Sequence, residues 1–148
     1  MSTIKVDTYL TRGGASEIAI DKLKGASSAS SISVVAEGGT NTTNLQQGLA
    51  KCWYSYNASQ AIGDSLNISG ITDTGTGIST TTFTTVMSNA TYSSSGMCGS
   101  GQTTNPSAVN FHASGMQVTG SIGVVTAEGS DSKRDYTLTT ISIHGDLA

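Results

Sequence analysis

The chain has few charged and few aromatic residues. Of its 148 residues, 11% are charged and 5% aromatic, and there are only two cysteines, two histidines and one proline. Seven Lys and Arg residues, spread along a chain of net charge −3, exclude the clustered basic surface that binds nucleic acid. No apolar run reaches the about 18 residues of a membrane-spanning helix, and the first residues lack the pattern of a secretory signal. We therefore expect neither a nucleic-acid partner nor a membrane partner.

The rare residue types also limit the kinds of site. Cys52 and Cys98 are too few for a disulfide scaffold, so we expect two separate thiols. A zinc site would need His112 and His144 to converge with a cysteine or a carboxylate, and no closely spaced pair of ligands exists. The sequence therefore predicts no metal and no cofactor.

Small hydroxyl and β-branched residues take the place of the missing charges. Ser and Thr make up 45 residues, and Thr, Ile and Val together make up 41. Stiff β-branched side chains suit a pleated, half-buried surface. The exterior would be polar but uncharged, with little to hold copies of the chain apart. We expect an oligomer or a lattice of copies.

Short alternating runs separated by turn residues predict the fold. After an extended start, a small-residue linker covers Gly25–Ser31, and Gly99–Ser107 forms the longest loop of the body. Strands with short turns between them indicate an antiparallel β-sandwich, an all-β fold. The strands are expected at Ile32–Val35, Lys51–Asn57, Ser65–Ile71, Thr80–Met87, Tyr92–Cys98, Ala108–Ala113, Gln117–Thr126 and Asp135–His144.

Three local details refine this fold. Thr43–Ala50 is the only clear helix signal, with Thr43 as the cap, Gln46 completing a capping box, and Leu45 and Leu49 on one face. This helix could pack around a threefold axis or on its own chain. Asp73–Gly77 is a hairpin loop rather than a phosphate cradle, and a bulge is expected near Thr139–Thr140.

Three segments resemble a module of bacteriophage tail-fibre-like virion proteins, many of them from marine phages. The module has an Ala-Lys-x-Trp strand, an Asn-φ-Ser-x-Ile-Thr-Asp-x-Gly-x-Gly hairpin and a Phe-Thr-Thr-x-Met strand, where φ is apolar. The likeness covers roughly residues 44–92 and 136–146. The matching residues are Ala50, Lys51, Trp53, Asn67, Ile68, Ser69, Ile71, Thr72, Asp73, Gly75, Gly77, Phe83, Thr84, Thr85 and Met87.

The resemblance implies a non-enzymatic structural protein of a phage particle, located in the virion and assembled in the bacterial host cytoplasm. It would be a homotrimer and a short fibre-like, head-fibre or capsid-decoration subunit. Residues 1–42 would form an extended attachment arm and linker, with Ile4, Val6 and Tyr9 contacting the virion, and residues 43–148 the sandwich body. The partner would be the major capsid protein or a tail adaptor. Attachment to the head and attachment to the tail are equally expected.

The aromatic residues are the remaining binding candidates. Trp53, Tyr54, Tyr56 and Tyr92 could contact a neighbouring subunit or stack on a host surface polysaccharide, but large aromatics more often fill cores and interfaces. Trp53 in particular is expected in the core or at a subunit interface. The alternation places Cys52, Tyr54 and Tyr56 on one face of a strand and Trp53 and Ser55 on the other.

The alternative function is the tip of a multi-chain tail fibre that binds or degrades host glycans. A hydrolase would need a pair of carboxylates, or a nucleophile with a base. Most of the acidic residues sit beside turn signals, and no Gly-x-Ser-x-Gly motif exists. The sequence therefore favours a protein that is not an enzyme.

Overall fold

A computed structural model describes residues 21–23, 32–36, 39–99, 107–111, 116–128 and 132–148. The secondary structure is almost entirely strand. The elements are β1 (Ser33–Val35), β2 (Thr42–Asn44), α1 (Leu45–Gly48), β3 (Ala50–Tyr56), β4 (Ile62–Leu66), β5 (Ile68–Gly75), β6 (Ile78–Phe83), β7 (Ser93–Gly99), β8 (Ser107–Phe111), β9 (Gln117–Val118), β10 (Ser121–Glu128) and β11 (Leu138–His144).

Two antiparallel sheets pack face to face. The front sheet has the strand order β4-β3-β11-β7, and the back sheet has the order β5-β6-β10-β8, with β9 also paired to β10. A hydrogen bond connects the two sheets: the Thr81 hydroxyl on β6 donates to the Tyr54 hydroxyl on β3 over 2.9 Å. The predicted all-β antiparallel sandwich is confirmed.

The core lies between the sheets and follows the alternation of the strands. In β3 the side chains of Cys52, Tyr54 and Tyr56 are buried and Trp53 is not, so the predicted split into two faces is confirmed. Burying one such large apolar side chain stabilises the fold by roughly 1.5–3 kcal/mol. The front sheet adds Ile141 and Ile143, and the back sheet adds Phe83, Ile122 and Val124.

The helix is shorter than predicted, and its cap was assigned wrongly. Thr43 lies in β2, paired with Val34, so its backbone is extended and cannot start a helix. Asn44 is the N-cap instead, and its side chain accepts a hydrogen bond of 3.0 Å from the Gln47 amide. Leu49 is extended and 55% exposed, so the predicted apolar helix face does not form.

Two predicted strands are each divided. The strand expected at Ser65–Ile71 is β4 and β5, which lie in different sheets and are separated by Asn67 with φ of 63°. The strand expected at Gln117–Thr126 is β9 and β10, which turn back on one another. Period-two alternation continues across both breaks, so the sequence pattern did not reveal them.

The hairpin and the bulge also differ from the prediction. β5 continues to Gly75, so Asp73 belongs to the strand and the turn is tighter than expected. β11 starts at Leu138, after Tyr136, so no bulge is needed at Thr139–Thr140, and the register shift lies between Ile143 and His144. The predicted strand end at Met87 is an isolated bridge to Leu147.

The first part of the chain is described only in pieces. β1 and β2 form a separate two-stranded sheet that crosses the predicted domain boundary at residue 42. Ile4, Val6 and Tyr9 lie outside the described residues, so their role in virion attachment stays a prediction. No helix in the described ranges is long and apolar enough to cross a membrane.

Candidate functional site

The three segments that carry the phage resemblance meet at Asn67. Its side-chain amide donates to the Lys51 carbonyl over 3.1 Å and to the Thr85 carbonyl over 3.0 Å. Its side-chain oxygen accepts from the Thr85 amide over 2.7 Å, and its own carbonyl accepts from the Thr84 amide over 3.2 Å. We call these four residues the Asn67 junction. It joins β3, the start of β5 and the segment after β6 where the chain passes between the sheets.

The conformation of Asn67 explains the residue type. A φ of 63° lies in the left-handed region, which Asn tolerates better than most side chains do. Only an amide of this length both donates to two carbonyls and accepts from a backbone amide at this turn. The motif position therefore holds the local backbone in place.

The tip of the β5–β6 hairpin is held in the same way. Asp73 accepts a hydrogen bond from the Gly75 amide over 2.9 Å, and the Gly77 amide donates to the Asp135 carboxylate over 2.7 Å. The Gly77 carbonyl accepts from the Thr126 amide over 2.8 Å. The two motif glycines and the motif aspartate thus fix the hairpin against β10 and the segment before β11.

The contribution of the Asn67 junction can be measured with two substitutions. Asn67→Gly keeps the backbone conformation and removes three side-chain hydrogen bonds, so it should lower the free energy of unfolding by about 2 kcal/mol. Asn67→Ala should cost about 1 kcal/mol more, because a Cβ at positive φ adds strain. Urea unfolding of both variants measures this difference. Equal stability of the alanine and glycine variants would contradict the assigned backbone role.

Three of the four candidate aromatic contacts are buried in the core. Tyr54, Tyr56 and Tyr92 are 1%, 6% and 6% exposed, so their rings fill the core, and of the three only Tyr92 also borders a cleft. The Tyr92 hydroxyl donates to the Ser121 carbonyl over 2.9 Å, and burial raises the pKa of Tyr92 to about 12. Burial likewise raises the pKa of Tyr54 and, less strongly, that of Tyr56. Tyr54 and Tyr56 therefore present no exposed ring to a partner, and a contact through Tyr92 stays a prediction.

Of the two positions expected for Trp53, the structure excludes the core, and the subunit interface stays a prediction. Its side chain is 39% exposed on the outer face of the front sheet, so it is not the core anchor. The alternation of side chains along β3 predicted correctly which residues share a face of the strand with Trp53. The inner face is the one that carries Tyr54 and Tyr56, because Ile141 and Ile143 of the neighbouring strand point the same way.

The candidate metal and catalytic residues are dispersed. His112 and Asp131 lie outside the described residues, and His144 contacts the Ser142 hydroxyl at 3.4 Å. No group of three or more His, Cys, Asp or Glu side chains could hold a metal ion within the part of the chain that the structure describes. Glu128 pairs with Arg134 at 2.5 Å and Asp64 accepts from the Ser65 amide at 2.8 Å, so these carboxylates serve local structure.

The two cysteines are not joined by a disulfide, as predicted. Cys52 is fully buried between the sheets, and burial raises the pKa of its thiol to about 12. The thiol therefore stays protonated at neutral pH, which makes it a poor nucleophile.

Sequence reasoning missed one polar cleft at the end of the sandwich. It has a volume of about 340 Å³, and the Gln47 side chain donates to the Asp146 carboxylate across it over 2.6 Å. Hydroxyl, amide and imidazole groups complete its wall. The lining residues are Gln47, Asn89, Thr91, Tyr92, Ser93, His144, Gly145 and Asp146. They come from three segments that are far apart in the chain, so no spacing signal could have found them.

A second, more open groove of about 410 Å³ lies beside the Asn67 junction. Leu66 and Leu147 provide its apolar wall, and Lys51 lies at its edge. The Lys51 ammonium donates to the carbonyls of Gln46 and Leu49, so its charge neutralises the end of α1.

Comparisons with protein-family models, with curated proteins and with solved structures found no match.

Proposed function

We propose that the chain is a non-enzymatic structural subunit of a phage particle, a short fibre-like or decoration protein attached to the capsid or the tail. The observation that carries this proposal is the Asn67 junction. The residues that resemble phage fibre-like proteins hydrogen-bond to one another and hold the two sheets together. Motif residues that stabilise the fold suit a protein with a structural and adhesive role rather than a catalytic one.

The surface supports the same proposal. The described outer faces carry hydroxyl groups and scattered apolar side chains, and the whole chain has only 17 charged residues other than histidine. Such a surface suits packing against other proteins at close quarters, where unpaired charges would have to lose their water. In this proposal the chain forms a homotrimer whose arm contacts the major capsid protein or a tail adaptor.

The alternative, a glycan-binding or glycan-degrading fibre tip, has less support. Three of the four aromatic side chains considered for it are in the core. Stacking on a sugar needs an exposed ring, and of the four only Trp53 has one.

Incorporation into particles tests the proposal. Replacing Ile4 and Val6 by aspartate should abolish incorporation while the melting temperature of the purified chain stays unchanged, because these residues belong to the proposed arm. Thr8→Asp adds a carboxylate at a polar position of the same segment and is the matched control. Immunogold labelling of intact particles reports the location, on the head or on the tail. Absence of the wild-type chain from purified particles would refute the virion role.

A further inference from the structure

The outer face of the front sheet carries three exposed large apolar side chains, Trp53, Leu66 and Met97, among small hydroxyl residues. Strand registers place Leu66, Trp53, Ser142 and Ser95 side by side across β4, β3, β11 and β7, and we call these four the Trp53 row. The next row along the strands contains Ser55, Thr140 and Met97. Met97 is 77% exposed and Leu66 is 45% exposed, so both side chains offer apolar surface to a partner.

Gly63 completes the second row on β4. The register of β3 and β4 shifts opposite Ser55, so both Gly63 and Asp64 lie beside it: a Cβ at Gly63 would lie 2.8 Å from the Ser55 hydroxyl, and the Asp64 amide donates to the same hydroxyl over 3.3 Å. We call Gly63, Ser55, Thr140 and Met97 the Ser55 row. The nearest charged residues are at the margins, with Asp64 on the edge strand β4 and Lys51 beside the end of α1. The back sheet differs, because Met116 covers its outer face at Gly123.

The two rows have complementary shapes. The Trp53 row runs from large to small across the sheet, with Leu66 and Trp53 on one half and Ser142 and Ser95 on the other. The Ser55 row runs from small to large, from Gly63 to Met97. A two-fold axis parallel to the strands, between β3 and β11, reverses each row. It sets Trp53 opposite Ser142, Leu66 opposite Ser95, and Met97 opposite Gly63.

We propose that this face binds a second copy of the chain through such a two-fold contact, with each Trp53 side chain filling the space above the partner's small serine. Two-fold contacts use the same patch on both subunits, which a self-complementary pattern of large and small side chains permits. The two charged side chains of these strands, Lys51 and Asp64, lie near an end of β3 and on the edge strand β4, so a second copy buries no charged side chain at the centre of the contact. The inference does not depend on the proposed virion role.

The size of the face sets the strength of the contact. Four strands about 4.8 Å apart, each rising about 3.4 Å per residue over up to seven residues, give a face of roughly 19 Å by 24 Å. Two such faces bury roughly 900 Å² in total, at the low end of specific interfaces. We therefore expect weak association that increases with protein concentration. The molar mass should double, either from one chain to two or from the proposed trimer to a hexamer.

Exchanging the large and the small residue tests the geometry. Trp53→Ser should weaken self-association about 30-fold, the factor that corresponds to about 2 kcal/mol for a central aromatic side chain. Ser142→Trp should weaken it as strongly, because two indoles then meet. The double variant carrying Trp53→Ser and Ser142→Trp places a small residue opposite a large one again and should recover most of the wild-type association.

Sedimentation equilibrium over a range of concentrations measures the mass, and circular dichroism with thermal melting shows that each variant is folded. Val118→Ser removes an exposed apolar side chain from the other sheet and should leave the association unchanged. A wild-type chain that keeps one mass at every concentration overturns the proposal. So does a folded double variant that associates no better than the two single variants.

Discussion

Tyr54→Ala should lower the free energy of unfolding by about 3–5 kcal/mol, the cost of removing a large buried aromatic side chain. Tyr54 is 1% exposed and lies between the sheets. Its hydroxyl accepts a hydrogen bond from the fully buried Thr81 over 2.9 Å, so the variant also leaves a buried hydroxyl without its partner. Denaturant unfolding monitored by Trp53 fluorescence measures the loss.

Two matched variants separate the causes of this loss. Trp53→Ala should cost only about 1–2 kcal/mol, because part of the indole is already in water. Tyr54→Phe keeps the ring and should cost about 1 kcal/mol for the lost hydrogen bond. Circular dichroism at low concentration compares the three variants without any contribution from association. A larger loss for Trp53→Ala than for Tyr54→Ala would reverse the assignment of the inner and outer faces.

Gly77→Ala should be still more damaging, with a loss above about 4 kcal/mol or failure to fold, a range reached by few single substitutions. The added Cβ would lie 2.5 Å from the Thr126 carbonyl oxygen and 2.5 Å from the Arg134 amide nitrogen. Both are backbone atoms, so no side chain can move aside. The glycine also has φ of 65°, a region that alanine adopts only with strain.

The neighbouring glycines provide the controls for Gly77. Gly75→Ala has positive φ but no atom within 4 Å of its Cβ, so it should show only the backbone strain of about 1–2 kcal/mol. Gly70 has no positive φ and no atom within 4 Å of an added Cβ, so Gly70→Ala should change the free energy of unfolding by less than about 0.5 kcal/mol. Thermal melting of the three variants should rank them in that order. A Gly77→Ala variant as stable as Gly70→Ala would show that the hairpin tip is not packed against Thr126.

Alternation and turn residues were enough to predict the sandwich and the two faces of β3, because both depend on local periodicity. They could not decide which face is inner, since that choice depends on pairing with β11, near the other end of the chain. Asn67 was within the matched motif, but nothing in its neighbours indicates a positive φ. The polar cleft joins Gln47 to Asp146, 99 positions apart, and such contacts have no signal in a single sequence.

The pairing of β3 with β11 also determines when the chain can fold. Residues 50–56 receive their central partner only from residues 138–144, and β7 depends on the same strand. Contacts between such distant segments close large loops, which slows folding. On the ribosome, the β5–β6 hairpin can form early, whereas the front sheet has to wait until almost the whole described chain has emerged. Until then β3 can pair only with β4, and its other edge stays open beside three aromatic residues, which makes nascent chains of this protein prone to aggregation.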